Sequence, residues 1–589
     1  MPRIAVIDKQ KCNPQGCGGF LCIKKCPLNR MGKEAIVVGP DGKAQINEEV
    51  ITGSCTTCSI CVNVCPFKAI HMIKLPEQLT SRPIHRYGKD GFILYSLPVP
   101  VFGKVVGVVG INGVGKSTAI KVLAGVLKPN LGQQREAADI SEVIKMFKGT
   151  EAQVFFEKMK NGEIKVAYKP QQVDLIPKQA KGKVRELLQR VDERKKLAEV
   201  AKKLDLEEFL DNDIKEISGG ELQRVAIAAT VLRDANVFIF DEPTSYLDIK
   251  QRIKISKFIK QLASEKTAVL VVEHDLIILD HITDQVHIMY GESGGYGIVS
   301  MPKATRAAIN TYLGGYLRED NMRFRDYEIK FAARPPEKRI KRESLVSWHK
   351  ISKKLGKFHL KAENGDVSRK EVVGILGENG IGKTSFVKIL AGVDKKDSGE
   401  ITGKVKVAYK PQYLNSDSGE LVASFLADVA EKYKAHIIRP LDIDALMLRK
   451  LKDLSGGELQ RVSIAKCLGS DSDLYLIDEP SAYLDVEQRL KAAKLIRERI
   501  EQTGKTALVV DHDLLFIDYL SDSLMIFEGK PAIEGHVTGP FSMEDGMNRF
   551  LTGLNITLRR DKESLRPRIN KEGSQMDRKQ KDEGRLYYS

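Results

Sequence analysis

Two short stretches carry residues able to hold a triphosphate, "GINGVGKST" from Gly110 and "GENGIGKTS" from Gly377. Each follows a β-branched run, "VVGVVG" or "VVGILG", and opens a helix-forming stretch, "STAIKVLAG" or "TSFVKILAG", which is the strand-loop-helix context that a phosphate cradle requires. Backbone N–H groups of Asn112, Gly113, Gly115 and Thr118 in the first loop, and of Asn379, Gly380, Gly382 and Ser385 in the second, are expected to face the phosphates. Lys116 and Lys383 reach the terminal ones, and Ser117 and Thr384 can ligate magnesium. Further on, "VFIFD" and "LYLID" end in Asp241 and Asp478, carboxylates suited to holding the metal through water. Glu242 and Glu479 follow directly, where a carboxylate can polarise the attacking water as a general base. His274 in "VVEHD" and His512 in "VVDHD" also close apolar runs. A lone histidine is more often structural, but two at matching places suit a γ-phosphate sensor.

A second chemistry sits at the N-terminus, where eight of the nine cysteines fall within residues 12 to 65. In a cytosolic chain that clustering argues for metal ligation rather than disulfides. Cys55, Cys58, Cys61 and Cys65 form C-x2-C-x2-C-x3-C-P, the bacterial ferredoxin pattern, in which the fourth cysteine serves the other cluster. The other set is Cys12, Cys17, Cys22 and Cys26, the last again before proline. The resemblance implies two [4Fe-4S] clusters, one on Cys55, Cys58, Cys61 and Cys26, the other on Cys12, Cys17, Cys22 and Cys65. Zinc is the structural alternative, since thiolate quartets bind it too. Cys467, in "SIAKCLG", reads as a small buried apolar residue.

The elements that must position these groups come twice. "SGGELQRV" at Ser218 recurs at Ser455, and "DEPTSYLD" at Asp241 recurs as "DEPSAYLD" at Asp478, in the same order as the glycine loops. From Ser218 to Glu242 and from Ser455 to Glu479 is 24 residues in both cases, whereas Lys116 to Gln171 is 55 and Lys383 to Gln412 is 29. The first half therefore carries 26 extra residues, which the helical spacing on either side of Lys148-Gly149-Thr150 predicts to be a helical hairpin around 141–163 projecting from it. A basic stretch, Arg323 to Arg342, with eight Lys or Arg and a Pro-Pro break, marks the boundary between the halves. It and the tail after Phe541, with "ITLRRDKESLRPRINK", read either as solvated linkers or as contact segments.

Length and composition set the frame. A chain of 589 residues exceeds one core, and 42% hydrophobic with 29% charged residues is ordinary for a globular protein. The longest apolar stretch, Gly91 to Gly103, is broken by two prolines and is too short to span a bilayer. The N-terminus lacks a signal-peptide core, so the expectation is a cytosolic protein without a membrane partner. A formal charge of +16 suits a polyanionic partner such as RNA as well as it suits a solvated surface.

"SGGELQR" is the signature of the ATP-binding-cassette (ABC) ATPases, and the resemblance covers roughly residues 76 to 540. It implies an α/β fold of two tandem phosphate-loop NTPase domains behind an α+β ferredoxin-like domain. It also implies two ATP molecules held head to tail, Lys116 opposite Ser455, Gly456 and Gly457, and Lys383 opposite Ser218, Gly219 and Gly220. In that family Gln171 and Gln412 match the Q-loop, with magnesium nearby, and Asp248 and Asp485 match the D-loop. An aromatic stacks on adenine, for which Tyr87 or Phe92 and Phe358 are the candidates.

Joined to the cysteine domain, the hairpin and the tail, these cassettes resemble ABC subfamily E, the archaeal and eukaryotic ribosome-recycling family also called RNase L inhibitor. The resemblance implies ATP-driven closure that moves the iron-sulfur domain and splits ribosomes after a release factor, or its rescue paralogue, has acted. Lys145, Lys148, Lys158, Lys160 and the basic connector become candidates for rRNA phosphates of the small subunit. The implied boundaries are 1–75 for the iron-sulfur domain, 76–310 and 344–540 for the cassettes, 311–343 for the connector and 541–589 for the hinge and tail, in a monomer. A redox-coupled ATPase and the ATPase subunit of a transporter are the competing readings.

Overall fold

The runs that end in the motif residues have no polar face, and such sequences form strands covered on both sides. The computed structural model describes residues 3–7, 11–47, 58, 60–74, 82–88, 91–133, 137–331, 343–403, 405–412 and 418–587. In it Val105–Val109, Val237–Asp241 and Ala268–Val272 are buried at every position. They lie side by side, parallel, in the order Val166–Lys169, Val237–Asp241, Ala268–Val272, Val105–Val109, Gln285–Glu292. The second half repeats the order with Val407–Lys410, Leu474–Asp478, Thr506–Val510, Val372–Leu376 and Ser523–Lys530. Antiparallel strands extend one side of each sheet, and helices such as Lys116–Leu123 and Lys383–Leu390 cover the faces.

The described chain divides into two compact units. One comprises Met1–Tyr246, Ile255–His274 and Ile282–Ile329, and the other Leu247–Lys254, Asp275–His281 and Lys330–Ser589. In the first unit the cysteine region pairs Arg3–Ile7 with Ile70–Lys74 antiparallel, beside the hairpin of Ile36–Val38 and Ala44–Ile46. Short helices Leu21–Lys25 and Ile60–Val64 bring Cys22 and Cys61 inward, into a small core with Ile7, Ile36 and Ile70.

The 26-residue surplus is a pair of helices, Ile140–Met146 and Glu151–Lys160, with Gly149 at φ +83° in the turn. Rather than standing free, it packs Val143, Phe155 and Phe156 into the core of the first sheet, with Phe147 stacked on Phe156 at 5.6 Å. Its four lysines stay exposed on the other face, although Lys160 donates to Ser141 Oγ at 2.9 Å.

Neither of the segments that read either as solvated linkers or as contact segments is solvated throughout. Arg325, in the basic connector, is buried and donates to the carbonyls of Leu313 and Tyr312 at 3.1 and 2.8 Å, so it is not available to rRNA. Residues 332–342 of the connector lie outside the described residues. The tail is folded as strands Leu558–Arg560 and Pro567–Ile569 and helix Gln575–Asp582, with Arg566 fully buried. Cys467 is 5% exposed, and burial pushes its thiol up to about 12.

Candidate functional site

In a parallel sheet all carboxyl ends point the same way, and ligands bind there. Four neighbouring strands of each sheet deliver four motifs to that one edge. In the first half, Val105–Val109 leads into the glycine loop and Val237–Asp241 ends at the Asp241-Glu242 pair. Ala268–Val272 runs into His274, and Val166–Lys169 into Gln171. The second half does the same with Lys383, Asp478 and Glu479, His512 and Gln412.

The loops are held open for phosphate by backbone. Gly113 and Gly115 have φ of +82° and +86°, and Gly380 and Gly382 of +72° and +91°, values that side-chain-bearing residues rarely adopt. Gly294 N–H donates to Gly113 O and Ala532 N–H to Gly380 O, both at 3.0 Å, which fixes those peptides. Lys116 Nζ lies over its loop, donating to Gly110 O and Ile111 O at 2.8 Å, and Lys383 likewise to Gly377 O and Glu378 O at 2.9 and 2.6 Å. Asn112, Asn379, Ser117, Thr118 and Ser385 sit at the loop or its helix start.

Aromatic rings back these loops. A Cβ on Gly115 would fall 2.3 Å from Phe92 Cζ, and one on Gly382 2.9 Å from Phe358 Cε1. Tyr87 is half exposed, its hydroxyl 3.4 Å from Thr118 Oγ1. All three rings therefore border the phosphate loops.

A metal bound to ATP needs acidic oxygen beside the loop's hydroxyl. Thr384 Oγ1 donates to Asp478 Oδ2 at 2.8 Å, and Asp241 Oδ2 is buried with no hydrogen-bond partner, an orphan that a hydrated cation would satisfy. Burial raises both carboxyls, Asp241 to about 6, with the neighbouring Glu242 charge adding to it. The donor set thus fits magnesium.

The glutamates are half-buried beside it. Gln171 Nε2 donates to Glu242 Oε1 at 2.6 Å, Ser245 Oγ to Oε2 at 3.1 Å, and His274 Nε2 stands 3.5 Å away. In the second half His512 Nε2 is 3.7 Å from Glu479 Oε1. Burial pushes both carboxyls up. Around Glu242 the His274 imidazole and Lys116 outweigh it and bring the group down to about 2. Around Glu479 the bond from Gln412 opposes burial, but Asp478 and Asp511 reinforce it and the group stays raised. Burial, with Lys383 and Arg252 adding, drives His512 well below its ordinary value, so its imidazole is neutral at pH 7. Both nitrogens of each histidine are buried without a hydrogen-bond partner.

The signature serines cap helices Gly219–Val231 and Gly456–Gly469. Ser218 and Glu221 form a capping box, as do Ser455 and Glu458, the S-x-x-E pattern visible in "SGGE". Gly219, Gly220, Gly456 and Gly457 therefore open helices with their N–H groups outward. Asp485 caps helix Val486–Thr503, and within the second unit Asp248 Oδ2 accepts from Asn379 N–H at 3.0 Å.

Sequence reasoning passed over two residues here. Lys169 and Lys410, buried to 0% and 1% exposure, aim their ammonium groups at the backbone of the Asp-Glu pairs. The signal was in the repeat, since "YKPQ" occurs at Tyr168 and again at Tyr409.

In the cysteine region, Cys12, Cys17, Cys22 and Cys65 line one cavity, walled by Phe20, Phe67 and Ile70. Ala69 N–H donates to Cys65 Sγ at 3.3 Å. Burial raises the Cys12 thiol and takes Cys22 up to about 11, the position of thiols that need a cation to ionise. Converging thiols in an apolar shell fit a cluster. Of the other set, Cys26 and Cys61 are buried and Cys58 half-buried, while Cys55 lies outside the described residues.

Comparison with known proteins agrees with this geometry. A family model described as ABC transporter matches residues 101–245 and 360–482. One described as a possible Fer4-like domain in RNase L inhibitor matches residues 2–34, and a 4Fe-4S binding domain matches 48–71, which decides for iron-sulfur clusters over zinc. Translation initiation factor RLI1 of Saccharomyces cerevisiae is 42% identical, over 100% of this chain and 98% of that protein. Among solved structures, a model of ribosome-bound archaeal Pelota and ABCE1 matches at TM-score 0.93 and 52% identity, covering 100% of this chain and 99% of that one. A complex of archaeal ribosomal stalk protein aP1 and archaeal ribosome recycling factor aABCE1 matches at TM-score 0.83 and 52% identity, covering 87% and 100%. Among the described residues no helix is long and apolar enough to cross a membrane.

Proposed function

The chain belongs to the RNase L inhibitor family, subfamily E of the ABC ATPases, and from that premise we propose that it recycles ribosomes, splitting them into subunits by ATP-driven closure of its cassettes. It is an ATPase. Lys116 works with Ser455, Gly456 and Gly457, and Lys383 with Ser218, Gly219 and Gly220, so that each ATP joins the two cassettes. Tyr87, Phe92 and Phe358 take the adenine. Ser117, Gln171 and Asp241, and Thr384, Gln412 and Asp478, would hold magnesium, which screens phosphate charge when bound. Glu242 and Glu479 orient the water and take its proton, and the buried imidazoles of His274 and His512 face the γ-phosphate. Asp248 and Asp485 relay between the sites.

Cys12, Cys17, Cys22 and Cys65 would hold one cluster and Cys26, Cys55, Cys58 and Cys61 the other. Bound clusters cross-link short loops into a rigid body. The domain of residues 1–75 then serves as a lever, converting closure of 76–310 against 344–540 into displacement at a distance. Exposed lysines of the hairpin at 141–163 meet rRNA phosphates of the small subunit, and a release factor or its rescue paralogue acts first. The protein works in the cytoplasm as a monomer, with 311–343 and 541–589 as hinges.

What supports this most is one combination: two motif-bearing sheet edges and a two-cluster domain in a chain that matches, end to end, the archaeal ABCE1 of a model of ribosome-bound Pelota and ABCE1. The test is co-sedimentation with purified small subunits. The chain loaded with a non-hydrolysable ATP analogue should pellet with them and the ADP-loaded chain should not, whereas equal recovery in both states would reject nucleotide-controlled ribosome binding.

A further inference from the structure

The backbone of each hydrolytic glutamate is in a conformation that needs holding. Glu242 has φ +48° and Glu479 φ +46°, the left-handed region that costs a side-chain-bearing residue on the order of 1–2 kcal/mol. In the first half the turn brings the carboxylate to Gln171 Nε2 and Ser245 Oγ. Its amide is fixed by the sheet, Glu242 N–H to Val272 O at 3.0 Å and Glu479 N–H to Val510 O at 2.8 Å. Its carbonyl points the other way, into the protein, and there it meets a lysine.

Lys169 Nζ donates to Asp241 O at 2.9 Å and Glu242 O at 3.1 Å, and Lys410 Nζ to Asp478 O at 2.6 Å and Glu479 O at 3.4 Å. A side-chain amide from the signature helix reaches the same carbonyl, Gln223 Nε2 to Glu242 O at 2.7 Å and Gln460 Nε2 to Glu479 O. Lysine is almost never fully buried without cause. A strand end seeking only stability would carry an apolar side chain at that position.

The segment around Lys169 addresses the Asp-Glu pair at two points. In the first half Lys169 takes the two carbonyls and Gln171 takes the Glu242 carboxylate. We propose that Lys169 and Lys410 are positioning residues for hydrolysis, each clamping the carbonyls of the Asp-Glu peptide so that the left-handed turn, and with it the glutamate carboxylate, is set before ATP arrives. The clamp also joins the strand that ends in the Q-loop glutamine to the turn that carries the base, so a shift of the Q-loop segment is felt at the glutamate. The proposal rests on Glu242 and Glu479 being the hydrolytic bases.

The test uses the full-length, cluster-loaded chain and replaces both lysines, Lys169→Met with Lys410→Met, which keeps the stem and removes the donor. Binding of a fluorescent, non-hydrolysable ATP analogue with magnesium should change by at most about twofold, while single-turnover hydrolysis falls on the order of 10–100-fold, the effect of a base displaced by a fraction of a bond length. Added to Glu242→Gln with Glu479→Gln, the lysine changes should slow the residual reaction no further than about twofold, since they act through the glutamates. Hydrolysis near the parental rate, or a further loss of about tenfold in the glutamine background, would overturn the clamp. Parental hydrolysis by the glutamine variant alone would instead remove the glutamates as bases. Should the lysine variant melt early, Gln223→Met with Gln460→Met strips the other donor from the same carbonyls and must show the same split between binding and turnover, and its absence there would also overturn the proposal.

Discussion

Replacing Asp280 with Asn should destabilise the second unit by about 3–5 kcal/mol, because it leaves a buried charge without its partner. Asp280 Oδ2 accepts from Arg566 Nη1 at 3.2 Å and Arg568 Nε at 2.5 Å, and Oδ1 accepts from Arg568 Nη2 at 3.1 Å. The carboxylate is 3% exposed, Arg566 0% and Arg568 16%. In the variant Arg568 keeps Asp561 at 3.2 Å, but the carboxylate that contacts Arg566 is gone and water cannot replace it. The amide is nearly the same size, so no cavity forms and the loss is electrostatic. For a unit this large each kcal/mol moves the melting point by about 2 °C, so calorimetry should find the relevant transition lowered by about 6–10 °C. Adding Arg566→Met should recover more than half of the shift, since a buried pair replaced by apolar groups is often no less stable. A shift of Asp280→Asn below about 2 °C, or no recovery in the double variant, would refute the claim that Asp280 compensates the buried charge of Arg566.

The Glu242→Gln, Glu479→Gln variant should bind ATP normally and lose roughly 10²–10⁴-fold in steady-state turnover, measured by phosphate release. Gln171 can still donate to the new amide oxygen at position 242, so the loss should be in turnover and not in binding. Changing Lys145, Lys148 and Lys158 to Ala should weaken small-subunit co-sedimentation and reduce the slope of log affinity against log salt by up to about 2, leaving ribosome-free ATPase alone. Deleting the hairpin is the poorer experiment, because Val143, Phe155 and Phe156 belong to the core.

Much of this architecture was legible in the sequence because its strands are buried on both faces. "VVGVV", "VFIFD" and "AVLVV" could be nothing else, and the motifs that follow them fall on one edge once the strands are parallel. The repeat made the hairpin visible by subtraction. What the sequence hid is charge that folds inward. Arg566 looks like tail, and its partner Asp280 is 286 residues earlier, so no local pattern betrays the pair. Arg325 hides in a basic connector for the same reason, its bonds running to backbone carbonyls. Lys169 sits at the end of a strand where a lysine ordinarily snorkels to water, yet it turns inward to the carbonyls of Asp241 and Glu242, the latter at positive φ. Backbone strain of that kind belongs to no residue type.

The measurement closest to the centre is ribosome splitting itself, followed by light scattering or sucrose gradient with release factor, ATP and either the full chain or the chain lacking residues 1–75. The full chain should dissociate ribosomes. The shortened chain should still bind small subunits and hydrolyse ATP yet leave ribosomes whole, as should Cys58→Ser or Cys61→Ser, which remove a cluster ligand. Full splitting without the iron-sulfur domain would contradict the lever and leave the clusters to electron transfer or regulation.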